Sequence, residues 1–250
     1  MRKSLSFLLA ILLFVCLAPP VLASGNWGLS FPIPGEKPVG NATAEALQKY
    51  NAYFVDPTQE KVIYMTFDAG FENGYTAPIL DALKATGVPA AFFLVGTYIR
   101  DHPDLVRRMV EEGHTVANHT MSHPNMPAIS DPQRFRSELE ETERHYEAAV
   151  GQPMLKLYRP PNGKYSDGNL RMAQDLGYTT LLWSLAYVDW YVDNQPTKQQ
   201  AFDKLIPRIH PGAILMLHST SATNAEIMEE LIRTYQEMGY TFRCITEFGR

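Results

Sequence analysis

Five side chains of this sequence could share one acid–base site: Asp68, His119, His123, Asp189 and His218. Asp68 ends the apolar run 61–67, and His218 ends another at Leu217. His119 and His123 follow a third run about fifty residues beyond Asp68, spaced four apart. On a helical turn that spacing puts both imidazoles on one face, which suits a divalent metal. Imidazole ligands favour zinc, while the order of affinities leaves nickel, cobalt and copper open. Arg159 ends a fourth run, in Tyr158-Arg159-Pro160-Pro161-Asn162-Gly163, where its fork could orient a carboxylate by paired hydrogen bonds. The two prolines fix that loop, and Gly163 lets backbone amides approach a ligand as an oxyanion hole. Asp189 stands beside Trp190 and Tyr191, a carboxylate able to pair with a histidine next to an aromatic wall suited to sugar C–H faces. His218 is an acid whose charge changes near neutrality.

Each signal has a bland counterpart. Asp68 could cap a turn, the histidine pair could be two surface residues, Arg159 a solvated charge, and the aromatic patch a seat for the N-terminal segment. Their shared placement just past strands favours an enzyme, because α/β folds gather their chemistry at strand C-termini. His102, His114, His145 and His210 fall at helix starts, helix faces or turns and receive no role.

The elements that position these groups are strand-like runs at 61–67, 90–95, 115–117, 155–159, 179–185, 213–217 and 241–245. Between them, apolar residues recur at helical spacing, as in Ile79, Leu80 and Leu83 before Gly87, or Phe135, Leu139, Tyr146 and Val150 before Gly151. Alternating strands and helices imply parallel βα units, in an open doubly wound sheet or a barrel. No glycine-rich fingerprint follows the first strand, which argues against a nucleotide cofactor. The expected fold is therefore α/β, a distorted (β/α) barrel of about seven parallel strands, with its site at the C-terminal rim.

The chain of 250 residues is 45% hydrophobic, enough for one large core. Arg2 and Lys3, the apolar run 5–18 and Val21-Leu22-Ala23 read as a signal peptide over residues 1–23. Pro19-Pro20 ends that run short of a comfortable span, so cleavage is expected in preference to a retained anchor, leaving no stable membrane span. An extended arm, 24–58, with a short helix near 43–50, precedes a catalytic domain at 59–250. Cleavage removes two positive charges, moving the formal charge from −5 to −7. Such a protein has no general attraction for nucleic acid or anionic lipid. It would also lose Cys16, leaving Cys244 alone in an apolar run as a buried structural thiol, without an intramolecular disulfide.

Taken together, these residues resemble the polysaccharide deacetylases of carbohydrate esterase family 4 over roughly 61–247. That family carries Thr-Phe-Asp-Asp-Gly, a histidine pair after Asn, an Arg-x-Pro-x-Gly loop, Asp-Trp and a terminal Leu-x-His, in this order. The segments Phe71-Glu72-Asn73-Gly74-Tyr75-Thr76 and Trp183-Ser184-Leu185-Ala186-Tyr187-Val188-Asp189-Trp190, with 218–226, look closer to its spore-cortex branch. Those delta-lactam-biosynthetic de-N-acetylases act on muramic acid in peptidoglycan. The resemblance implies that Asp68 is the general base, fixed by Arg159, and that His218 is the acid, held by Asp189. It implies a divalent metal, zinc first, on His119 and His123, the Asn162 amide at the oxyanion, and Trp190 and Met216 around the acetyl group. Ala69 departs from the family, which places a metal-binding Asp there. Two protein ligands remain where catalytic zinc normally has three, so weak metal retention is expected, with water, substrate or Glu72 completing the shell. The leading expectation is an exported deacetylase of a peptidoglycan glycan strand. A deacetylase of another polymer, such as N-acetylglucosamine chains or xylan, and a catalytically silent glycan-binding homologue stand behind it.

Overall fold

The computed structural model describes residues 25–249. The expected signal segment, 1–23, and Cys16 lie outside the described residues. The central sheet comprises β1 (Ala52–Tyr53), β2 (Val62–Ala69), β3 (Ala90–Leu94), β4 (Thr115–Asn118), β5 (Leu157–Tyr158), β6 (Thr179–Leu181), β7 (Ala213–His218) and β8 (Thr241–Phe242). They pair in parallel in the order β7-β2-β3-β4-β5-β6-β1. β8 joins the foot of β2, with Thr241 opposite Val62, on the edge that β3 takes from Met65 onward.

The sheet curls into a distorted (β/α) barrel. Its strands coincide with the seven expected runs, with one addition from the arm, β1; β2, β4 and β7 run one or two residues further than expected. Among the strands that are shorter than expected, β5 and β6 have identifiable reasons. β5 stops before Pro160 and Pro161, which have no amide hydrogen for a ladder. Past Leu181 the chain crosses toward β7, where Ser184 N donates to Ile214 O and Met216 N to Leu185 O. That crossing and single bridges, Leu185 to Leu215 and Val55 to Ala213, close the barrel.

β2 shows how the pleat sorts the core. Ile63, Met65, Phe67 and Ala69 belong to the large cluster shared with residues of α2 (Thr76–Thr86) and α8 (Ala222–Glu237). Val62 and Tyr64 belong to the smaller cluster with Ala91, Phe93, Ala117, Leu181 and Ile214. Thr66 and Asp68 continue this second face upward, so the barrel has an apolar floor beneath a polar rim. Helices end where stop signals stand, as at Gly87, the left-handed cap of α2 at φ 67°.

The arm packs onto the barrel. Trp27 N donates to Gly163 O at 2.8 Å, and Trp27 Nε1 donates to Trp183 O at 2.9 Å. Cys244 is half-buried, not buried: β8 ends at Phe242, and Cys244 instead opens a short 3-10 turn. Among the described residues no helix is long and apolar enough to cross a membrane.

Candidate active site

A cleft of about 630 Å³ opens at the C-terminal rim of the barrel. Asp68, His119, His123, Asn162, Gly163, Trp190, Met216 and His218 all line it. Arg159 and Asp189 stand directly behind this wall, both completely buried. The ten residues singled out in the sequence thus converge on one place.

Asp68 is the penultimate residue of β2 and is 5% exposed. Arg159 Nη1 donates to Asp68 Oδ1 at 2.6 Å and also to Thr66 Oγ1 at 3.0 Å. The guanidinium spends its other bonds on backbone, Nε on Leu181 O and Nη2 on Leu182 O, and lies 4.0 Å over the Phe93 ring. The expected paired fork is therefore a single charge-assisted bond, because the carbonyls of Leu181 and Leu182 and the Thr66 hydroxyl compete for the remaining donors. Burial pushes the Asp68 carboxyl up, but the charge and hydrogen bond of Arg159, with the charge of His218, outweigh it, and the group sits below its ordinary pKa. Its second oxygen, Oδ2, has no hydrogen-bond donor among the described residues and lies 3.7 Å from His119 Nε2.

His119 and His123 do not ride a helical turn. They occupy a loop after β4 in which Thr120 and His123 take φ 70° and 55°. Asn118 Oδ1 accepts from Thr120 N, and Thr120 Oγ1 accepts from His123 N, and this folds the loop back. The rings nevertheless meet, with centroids 5.0 Å apart. His119 Nδ1 is 2.8 Å from Arg159 O. A carbonyl can only accept, so Nδ1 carries the proton and Nε2 keeps its lone pair toward Asp68 and the cleft. Burial holds His119 neutral, with its pKa pushed down to about 4, and lowers that of His123 as well.

This donor chemistry suits a borderline divalent ion: two neutral imidazoles, one with its tautomer fixed by the carbonyl behind it. Among the described residues no group of three or more His, Cys, Asp and Glu is placed to hold a metal. Glu72 does not supply the missing ligand. Its carboxylate accepts from Gly74 N and from Tyr98 Oη at 2.9 Å, capping the entry to α2, and it does not line the cleft. Ala69 lies on the opposite face of β2 from Asp68, in the apolar cluster.

Asp189 sits on the loop after the barrel crossing, and both its oxygens are occupied. Oδ1 accepts from His218 Nδ1 at 2.7 Å, and Oδ2 accepts from His218 N at 2.8 Å and from Asn224 Nδ2 at 2.7 Å. Burial alone would lower the His218 pKa, but the Asp189 charge and hydrogen bond raise it above its ordinary value. Trp190, 44% exposed, places its ring 5.7 Å from that of His218.

Gly163 lines the cleft and is also constrained by packing. Its amide donates to Pro160 O, and at φ 61° a side chain there would strike the Trp183 ring at 2.6 Å. Glycine is required by packing against Trp183 and Trp27 as well as by the turn. Sequence reasoning missed Thr66, Trp183 and Asn224. Thr66 and Asn224 were findable in principle, as polar residues one pleat below Asp68 and six residues beyond His218, in the first turn of the next helix. Nothing local in the sequence marks the role of Trp183.

A parallel (β/α) barrel with a carboxylate–arginine pair and a carboxylate–histidine pair flanking one cleft is built for acid–base hydrolysis. The chain belongs to the polysaccharide deacetylase family, whose sequence model matches residues 55–181. It is 37% identical over 246 residues to the peptidoglycan-N-acetylmuramic acid deacetylase PdaA of Bacillus subtilis, covering 93% of each chain. The structure of that family 4 carbohydrate esterase superposes with a TM-score of 0.86 over 90% of this chain and 97% of the other. A peptidoglycan-N-acetylglucosamine deacetylase of Bacillus cereus is 31% identical over 78% of this chain and 91% of that protein. A family 4 pseudoenzyme from Bacillus anthracis, 28% identical, matches with a TM-score of 0.73 over 80% of this chain and 69% of its own. The chain is a hydrolytic deacetylase by family.

Proposed function

We propose that this protein removes the acetyl group from N-acetylmuramic acid in peptidoglycan, and that its product leads to the muramic delta-lactam of spore cortex. The observation that carries the reading is a complete acid–base set around one cleft in a chain that matches PdaA almost end to end. Residues 1–23 would direct export to the wall or forespore envelope, 24–58 would form the arm, and 59–250 the catalytic domain.

In this reading Asp68 Oδ2 takes a proton from the attacking water, whose oxygen bonds to the acetamide carbon. The Asn162 backbone amide faces the resulting oxyanion. His218, protonated and held by Asp189, then gives its proton to the sugar nitrogen as the C–N bond breaks, releasing acetate and a free amine. Arg159 keeps Asp68 ionised and aimed, and Trp190 and Met216 enclose the acetyl methyl. The family's deacetylases are metal-dependent. A divalent ion, zinc in the first instance, would sit on His119 and His123 and polarise water and carbonyl.

Acetate release from peptide-stripped glycan, with added zinc or cobalt, tests the function; no release above an Asp68→Asn control would overturn it. The mass of the product, acetyl lost alone or acetyl and water lost together, shows whether ring closure accompanies hydrolysis. With only two imidazole ligands, less than one equivalent of metal should survive gel filtration, measured by inductively coupled plasma mass spectrometry. One firmly held ion per chain would contradict that.

A further inference from the structure

Beside the catalytic cleft lies a second groove of about 670 Å³ that shares Trp183, Trp190 and Met216 with it. The two meet at these three side chains. Its far wall combines Phe31 from the arm with Lys204 of α7 (Lys198–Leu205) and Arg208 just beyond that helix. Neither cation has a hydrogen-bonded or ion-paired partner among the described residues, although the chain is acidic overall. The Arg208 guanidinium lies 4.5 Å over the Phe31 ring, so the arm holds it in place without neutralising it.

The opposite wall is rigid. Gln195 Nε2 donates to Asp189 O at 3.0 Å and Tyr191 O at 2.7 Å, while its Oε1 accepts from Ser221 Oγ at 2.6 Å. These bonds pin the aromatic loop between the two grooves, so the shape exists before a ligand arrives. An aromatic floor with two uncompensated cations at its end recognises a sugar followed by an anion.

We propose that this groove is a subsite for the same glycan strand, and that Arg208 and Lys204 bind the free lactyl carboxylate of a neighbouring muramic residue. The proposal rests on the deacetylase reading above, and it makes the carboxylate state of the strand a determinant of binding.

The test is isothermal titration calorimetry on Asp68→Asn protein, which holds substrate without hydrolysing it. Three preparations of one oligosaccharide are compared: peptide-free, peptide-free with its carboxyls converted to methylamides, and peptide-bearing. The peptide-free acid should bind about tenfold tighter than the methylamide, the effect of one hydrogen-bonded charge pair. That preference should vanish when Lys204→Gln and Arg208→Gln are added. Equal affinity for acid and amide, a preference that survives both substitutions, or tighter binding of the peptide-bearing strand, whose lactyl carboxyl is blocked, would each overturn it. Acetate release by the unmodified protein is assayed separately, so loss of the subsite and loss of the deacetylase reading are told apart.

Discussion

Two buried aspartates serve the same cleft and are wired in opposite ways. Asp68 accepts one bond, from Arg159, and leaves Oδ2 open toward the cleft. Asp189 is saturated, with His218 and Asn224 on its two oxygens. An open oxygen can take a proton from water; a saturated carboxylate can only hold its neighbour. The difference also separates the two titrations. The charge of Arg159 keeps Asp68 ionised to lower pH, whereas the charge of Asp189 keeps His218 protonated to higher pH. Base and acid therefore coexist across a window around neutrality, lost on the acid side as Asp68 protonates and on the alkaline side as His218 deprotonates.

Abolishing the open oxygen should have the largest effect. Asp68→Asn keeps the shape and the Arg159 contact but removes the base, and kcat should fall by about 10³-fold or more, read by acetate release. Circular dichroism should show an intact fold. A variant retaining a tenth of the activity would shift the role of base elsewhere. Breaking the same pair from the other side attacks stability instead. Arg159→Met leaves Asp68 buried without its counter-charge, at a cost of about 3–5 kcal/mol in denaturant unfolding.

The contrast between the two aspartates was only partly legible in the sequence. Strand ends, helix stops and their alternation follow from local pattern, so the barrel and the rim position of Asp68, Arg159 and His218 could be read directly. Three features could not. The histidine loop has helical spacing but depends on left-handed residues at Thr120 and His123, which a one-dimensional pattern does not register. The competition for the Arg159 donors comes from carbonyls of Leu181 and Leu182, and backbone atoms carry no sequence signal. The arm reads as an extended segment that Trp27 and Phe31 seat on the main body, but not as a strand: β1 and the Trp27 contact behind the Gly163 loop have partners more than a hundred residues away.

Converting the saturated carboxylate to an amide tests the other half of the comparison. Asp189→Asn removes the charge that raises His218 while burial continues to lower it. The alkaline limb of the pH–rate profile should therefore move to lower pH, and kcat near neutrality should drop about 10²-fold. The acid limb, set by Asp68, should stay in place. Movement of both limbs together would mean that Asp68 and His218 titrate as one coupled unit.

A smaller effect should come from Asn224, in the first turn of α8. Its Nδ2 donates both to Asp189 Oδ2 and to His218 O at 3.0 Å, and its Oδ1 accepts from Tyr187 Oη at 2.5 Å. It does not itself line the cleft, so it acts through Asp189 and His218 as a positioning residue. Asn224→Ala leaves Asp189 anchored by His218 alone, and the loss of one hydrogen bond to a charged group should lower kcat by about tenfold. KM should stay within about twofold, because binding surfaces are untouched. Tyr187→Phe, one bond further out, should cost less again. If Asn224→Ala raised KM and left kcat unchanged, Asn224 would be supporting the Trp190 wall and not the acid, and the saturation of Asp189 would be structural rather than catalytic.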